Sequence, residues 1–175
     1  TFDFLFSYID SGLLEIQRSL GQIPMAPCNG YGRESAFLKF EAWVTFLHDN
    51  RGVMYYNTRF FLNPNLTPMR DAQELSEIVR FLNGGPARLI RNAERQSQVA
   101  IHYSRPSLHL AGLEMKQDVF RFARVGWLDV IEDLGLQADF VTPEQIENGV
   151  LKKYTTFVLP YSRAISSREA AAIKD

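Results

Sequence analysis

The sequence predicts an α/β protein in which short parallel strands alternate with amphipathic helices. Short apolar runs are followed by polar or glycine-rich loops and then by helical patterns, and this order repeats along the chain. Strands that succeed one another through helices pair in parallel by right-handed crossovers. In the first half, long loops follow the strands, as in the last part of a (β/α)8 barrel, although a doubly wound sheet fits the same pattern.

The second half predicts a different parallel sheet. Its strands are short and apolar on both faces, which is typical of a flavodoxin-like domain covered by helices on each side. We therefore expect two domains: residues 1–95, the last β/α units of the barrel with a connecting helix, and residues 96–175, the first half of the flavodoxin-like sheet. The chain begins within an apolar run and ends within a helical pattern, so we expect it to be an internal part of a longer polypeptide.

Composition excludes several classes of protein. The 175 residues are 46% hydrophobic and 22% charged, with a formal net charge of −1. A net charge so close to zero does not attract nucleic acid or an anionic membrane, so we expect neither partner. No apolar run approaches the roughly 20 residues of a membrane span. The single cysteine, Cys28, excludes an internal disulfide and a multi-cysteine zinc site.

The first domain predicts three strand–helix units. We expect strands at 3–8, 22–27 and 53–56, and helices at 11–20, 34–50 and 86–94. A further helix begins with the cap residue Thr67 and a first-turn proline. The helix at 34–50 is expected to bury one apolar face, formed by Phe37, Phe40, Val44 and Leu47.

The second domain is organised around residues 99–109, an apolar strand that runs into a loop rich in Ser, Arg, Pro and His. One helix is expected over 110–134, ended by Gly135, and strands are expected at 137–141 and 155–159. Two capping boxes, Thr142 with Gln145 and Ser166 with Glu169, predict the starts of the remaining helices.

Four stretches resemble family 42 glycoside hydrolases of the β-galactosidase type. The nine residues from Val99, Val-Ala-Ile-His-Tyr-Ser-Arg-Pro-Ser, resemble the passage from the catalytic barrel into the next domain. Residues 127–141 and 157–162 resemble that domain's first helix and its second and third strands. Residues 51–56, with the following Asn-Pro-Asn and the Thr67 helix, are similar to the last barrel strand and helix.

The resemblance implies a carbohydrate substrate, no cofactor and no metal. It implies a retaining mechanism with two carboxylates and a trimer held together by a second domain similar to class I glutamine amidotransferases. Two such carboxyl groups lie roughly 5 Å apart. In the family the acid comes from the fourth barrel strand, upstream of Thr1, and the nucleophile is a Glu at the end of the seventh. If residues 22–27 are that strand, the expected position falls near 26–29, which holds no carboxylate.

Either Glu34, farther along the loop, is the nucleophile, or the enzyme is a divergent relative, or it has lost activity. The alternative role of Glu34 is structural, since a Glu in the first turn of a helix commonly just complements the helix dipole. Side chains that follow the strands are candidates for binding sugar, because aromatic rings stack on sugar faces and Asn, Asp and Arg hydrogen-bond to hydroxyls. These candidates are Asp10, Asn29, Tyr31, Tyr56, Asn57 and Arg59. Their alternative role is the packing and capping of loops over the barrel.

Two other functional hypotheses stay open. The missing carboxylate favours a non-catalytic protein that binds carbohydrate or assembles oligomers on the same scaffold. An amidotransferase would need a cysteine after the next strand, beyond Asp175. Cys28 lies outside a tight strand–helix elbow, so we expect an inert thiol. His102, Ser104, Ser107 and His109 have no acidic residue near in sequence to orient them, so we interpret them as structural.

Overall fold

The computed structural model describes residues 11–21, 28–29, 35–50, 54–55 and 61–174. The chain divides into two compact units, Thr1–Glu94 and Arg95–Asp175. The strand predicted at 3–8 lies outside the described residues, as does the one predicted at 22–27.

The first unit pairs two short parallel strands and has helices before, between and after them. The strands are β1 (Cys28–Asn29) and β2 (Met54–Tyr55), with Cys28 opposite Met54 and Asn29 opposite Tyr55. The helices are α1 (Ser11–Leu20), α2 (Ser35–Leu47), α3 (Arg70–Leu82) and α4 (Gly85–Arg91). Within the described residues, this pairing lies directly after the segment predicted as a strand at 22–27.

The buried face of α2 differs from the predicted one. Phe40 and Leu47 are 60% and 55% exposed, whereas Leu38 and Ala42 are buried against Leu75 of α3. Because α2 is apolar around most of its circumference, hydrophobic spacing alone does not select its inner face.

The predicted start of α3 was also wrong. Its N-cap is Met69, without a side-chain hydrogen bond, rather than Thr67. The Thr67 hydroxyl donates to Asn65 Oδ1 at 2.7 Å, and the backbone amide of Asn63 donates to the Thr67 carbonyl at 2.9 Å. Thr67 is therefore held in a turn of its own and does not reach the helix.

The second unit is built on a three-stranded parallel sheet. Its strands are β3 (Val99–His102), β4 (Ala138–Val141) and β5 (Thr156–Val158), in the spatial order β4-β3-β5. The register places Val99 opposite both Ala138 and Thr156. The parallel sheet, with helices between its strands, confirms the predicted α/β class.

Helices cover this sheet. They are α5 (Arg105–Leu113), α6 (Gln117–Asp133), α7 (Pro143–Glu147) and α8 (Ser167–Lys174), with a 3-10 turn at Val150–Lys153. Ile146 of α7 and Ile173 of α8 pack against Ala100 and Val141 of the sheet. Both predicted capping boxes are confirmed. Thr142 and Gln145 satisfy each other's backbone amides at the start of α7, and Ser166 and Glu169 do so at the start of α8.

Two predictions in this unit were wrong. The segment after His102 is a helix, α5, rather than a polar loop, because the Ser104 side chain accepts the Ser107 amide and a proline occupies the first turn. The single helix predicted over 110–134 is two helices. The chain turns at Met115, which has a left-handed φ of 55°.

Candidate functional site

Asn29 is the one predicted sugar-binding residue that lies within the described residues. It is the last residue of β1 and is paired in register with Tyr55, the last residue of β2. Because the pair is parallel, the carboxyl ends of the two strands lie at one edge. The other candidates lie outside the described residues: Asp10, Tyr31, Glu34, Tyr56, Asn57 and Arg59.

The protonation state of Tyr55, the last residue of β2, follows from its surroundings. Burial, followed by the negative charge of Glu41, raises the pKa of its phenol to about 12. Its ring contacts Phe61 with centroids 5.2 Å apart. Tyr55 therefore remains a neutral phenol at every physiological pH.

A buried carboxylate in α1 escaped the sequence analysis. Glu15 is fully buried, and Arg18 Nε donates to its Oε1 at 2.7 Å. His48 Nε2 lies 3.6 Å from the second oxygen, Oε2. Glu15 and Arg18 lie one turn apart on α1, so they form an ion pair within that helix, and His48, which follows α2, lies beside the second oxygen.

The second unit brings together a serine, a histidine and a glutamate. His102, the last residue of β3, has its Nδ1 2.7 Å from Ser162 Oγ and its Nε2 2.6 Å from Glu169 Oε1. His102 and Glu169 are 1% and 2% exposed, and Ser162 is half-buried. The Nε2–Oε1 contact is close but does not form a well-aligned hydrogen bond. The acidic residue beside His102 therefore comes from α8, which is distant along the chain. The one sequence signal that bears on the orientation of Glu169 is its capping box with Ser166.

The electrostatics of this cluster follow from its burial. Desolvation lowers the pKa of His102 to about 4. It also raises the pKa of Glu169, an effect that the Ser166 amide opposes by hydrogen bonding and that the charges of Glu147 and Glu144 reinforce. The imidazole is therefore neutral at pH 7. With its ring proton on Nε2, facing the carboxylate, Nδ1 can accept the hydroxyl proton of Ser162.

Ser104 and Ser107 hold the backbone around this cluster. Ser107 Oγ accepts the amides of Arg163 at 3.1 Å and Ala164 at 3.0 Å, and Ser104 Oγ donates to the Ala164 carbonyl at 3.2 Å. These two side chains fix the segment that follows Ser162 against the start of α5. Their structural interpretation agrees with these contacts.

Across the described ranges, no group of three or more His, Cys, Asp or Glu side chains could hold a metal ion. Of the helices described, none has both the length and the apolar character needed to cross a membrane.

Comparison with known proteins gives a structural likeness and no sequence match. No family model matches the chain, and no curated protein matches it. Its fold is similar to the crystal structure of the β-galactosidase from the psychrophilic Marinomonas ef1, with a TM-score of 0.73 and 15% sequence identity. The match covers 93% of this chain and 29% of that β-galactosidase, so this chain spans less than a third of it. At this identity the likeness shows that the chain shares its fold with part of that β-galactosidase.

Proposed function

We propose that this chain is part of a glycoside hydrolase that acts on β-galactoside-like carbohydrates through a retaining, two-carboxylate mechanism without a cofactor. The observation that carries the proposal is the match over 93% of the chain to a β-galactosidase structure. The resemblance of four separate stretches of sequence to the same class of enzyme supports it independently.

The proposed sugar site is the edge after β1 and β2. Asn29 and Tyr55 end the two strands in register. Catalytic and binding residues of (β/α)8 enzymes lie at this carboxyl edge. We propose Asn29, Tyr31, Tyr56, Asn57, Arg59 and Asp10 as sugar ligands and Glu34 as the nucleophile.

The second unit has the strand order β4-β3-β5, which is the 2-1-3 order of the first strands of a flavodoxin-like sheet. We propose that it serves assembly, with a homo-trimer as the oligomer that the family resemblance implies. In this proposal residues 1–95 are the end of a barrel and residues 96–175 the first half of the assembly domain.

The test is hydrolysis of an aryl β-galactoside by the complete polypeptide that contains this chain. Replacing a nucleophilic carboxylate by its amide removes the covalent step, so Glu34→Gln is expected to abolish turnover. Glu77→Gln, which changes an exposed carboxylate on α3, is the matched control and is expected to leave turnover unchanged. Full activity of Glu34→Gln would remove Glu34 from the mechanism.

A second candidate function, binding of carbohydrate without hydrolysis, is favoured by one observation. The segment that leads into β1 and ends at Asn29 carries no carboxylate where the family has its nucleophile. Wild-type protein that binds galactosides but does not hydrolyse them would select this function.

A further inference from the structure

The second unit contains a cluster of three polar side chains that the proposed glycosidase activity does not use. His102 ends β3, Ser162 follows β5, and Glu169 lies in the first turn of α8, so all three meet near the carboxyl edge of the parallel sheet. Ligand and catalytic sites of open α/β sheets lie outside this edge. We propose that Ser162, His102 and Glu169 form a nucleophilic site that transfers a small acyl group from an ester to water.

The distances fit the three roles. Ser162 Oγ and His102 Nδ1 are 2.7 Å apart, within the reach that a nucleophile and its base require. The opposite ring nitrogen lies 2.6 Å from Glu169 Oε1, so the carboxylate can hold the imidazole in the tautomer that accepts at Nδ1. The second contact is not well aligned, which is common in the absence of substrate, because such hydrogen bonds tighten when substrate binds.

The backbone before Ser162 is strained. Tyr161 has a φ of 52°, in the left-handed region that a bulky residue rarely adopts. The backbone after Ser162 is held in place, because the Arg163 amide donates to Ser107 Oγ. The Arg163 guanidinium carbon lies 5.5 Å from the centroid of the Tyr161 ring. Strain that is held by its surroundings concentrates at functional sites, and here it sets the direction of the Ser162 side chain.

The reaction conserves atoms and charge. Ser162 Oγ forms a bond to the acyl carbon while its proton passes to His102 Nδ1. The ester's carbon–oxygen bond then breaks, and the leaving alkoxide takes that proton from His102 and departs as an alcohol. Water attacks the acyl-serine by the same route, releasing the carboxylic acid and restoring the hydroxyl. Because Ser162 is half-buried, a small acyl group such as acetyl fits the site better than a bulky one.

The test is covalent labelling of the protein with an alkyl fluorophosphonate, followed by peptide mass spectrometry. The probe forms a bond from phosphorus to an activated serine oxygen and releases fluoride. We expect one label, on Ser162, that is lost in Ser162→Ala and retained in Ser167→Ala, which changes an exposed serine in the same region. Absence of label on Ser162, or equal labelling of Ser162 and Ser167, would overturn the proposal.

Two variants separate chemistry from folding. His102→Asn is expected to slow both labelling and p-nitrophenyl acetate hydrolysis roughly 100-fold or more, since it removes the base. Glu169→Gln keeps the shape of the side chain but removes the charge that orients the base, so a smaller loss is expected. Unchanged rates in variants that retain the wild-type circular dichroism spectrum would assign the cluster a purely structural role.

The wild-type protein supplies a test that needs no variant. Since neutral His102 is the active base, the labelling rate is expected to rise as the pH increases through about 4 and then to level off. The other titratable groups acting on the cluster are Glu169 on α8 and Glu144 and Glu147 on α7. A rate that is independent of pH between 3 and 6, a range that brackets the pKa of about 4, would contradict the proposed role of His102.

Discussion

At the scale of single residues, burial of His102 couples the stability of the second unit to pH. The pKa of the imidazole is about 4 in the folded protein, below the usual value of 6.5, because the ring is desolvated. Between these two values the unfolded chain binds more protons than the folded one, so acidification favours unfolding.

This coupling predicts that the free energy of unfolding falls by up to about 3 kcal/mol as the pH drops from 6.5 to 4. Urea denaturation of the complete polypeptide that contains this chain, as wild type and as His102→Asn, at several pH values measures it. Both proteins retain Glu169, so the difference between their pH slopes reports His102. Parallel slopes would show that the histidine does not titrate as described.

Ser107 makes a second contribution at this scale. Its buried hydroxyl accepts two backbone amides, those of Arg163 and Ala164. Ser107→Ala leaves both donors without that acceptor, and we expect a loss of about 2 kcal/mol in the free energy of unfolding. Ser167→Ala, at an exposed position, is expected to change it by less than about 0.5 kcal/mol. Equal stability of the two variants in urea titrations would refute this assignment.

The sequence predicted contacts between residues that are close along the chain and missed contacts between residues that are far apart along it. The capping box of Ser166 and Glu169 spans one helical turn and was predicted correctly. The contact of His102 with Ser162 and Glu169 was missed, because these residues are brought together by the pairing of β3 with β5 and by the packing of α8. Tertiary contacts of this kind leave no local pattern.

At the scale of elements, the ends of α5 and α6 show why one boundary was predicted and the other missed. Both helices end with two backbone hydrogen bonds around a left-handed residue: Lys116 to Ala111 and Met115 to Gly112 for α5, and Leu136 to Ile131 and Gly135 to Glu132 for α6. After α6 the left-handed position is occupied by Gly135, and this glycine predicts the end of the helix. After α5 the same conformation is adopted by Met115. Without a glycine at this position, no local pattern signals the break.

This comparison predicts that Met115→Gly stabilises the protein by about 0.5 kcal/mol. The left-handed conformation costs a residue with a Cβ roughly 1–2 kcal/mol, and the greater entropy of glycine in the unfolded chain offsets only part of that gain. Met115 is 89% exposed, so little packing is lost. Met115→Ala keeps the Cβ and is the control, with no gain expected. A Met115→Gly protein with a lower melting temperature than Met115→Ala would contradict the explanation.

At the scale of the whole molecule, the likeness to a β-galactosidase covers 93% of this chain but 29% of the other. In the proposed assignment, residues 1–95 hold only the last strands of a barrel, and a partial barrel exposes strand edges. We therefore predict that the 175-residue chain by itself aggregates or melts without a sharp transition. Scanning calorimetry with light scattering measures this. A cooperative melt of a monomer would count against the barrel assignment.

If the chain is part of a galactosidase, as we propose, a galactoside binds at the edge where β1 and β2 end. Titration of the isotopically labelled complete polypeptide with methyl β-galactoside, followed by amide chemical shifts, tests this. We expect the shifts to centre on Asn29 and Tyr55 and on the residues that follow them, and Tyr56→Ala to weaken binding. Shifts confined to residues 96–175, or no shifts at saturating sugar, would contradict it.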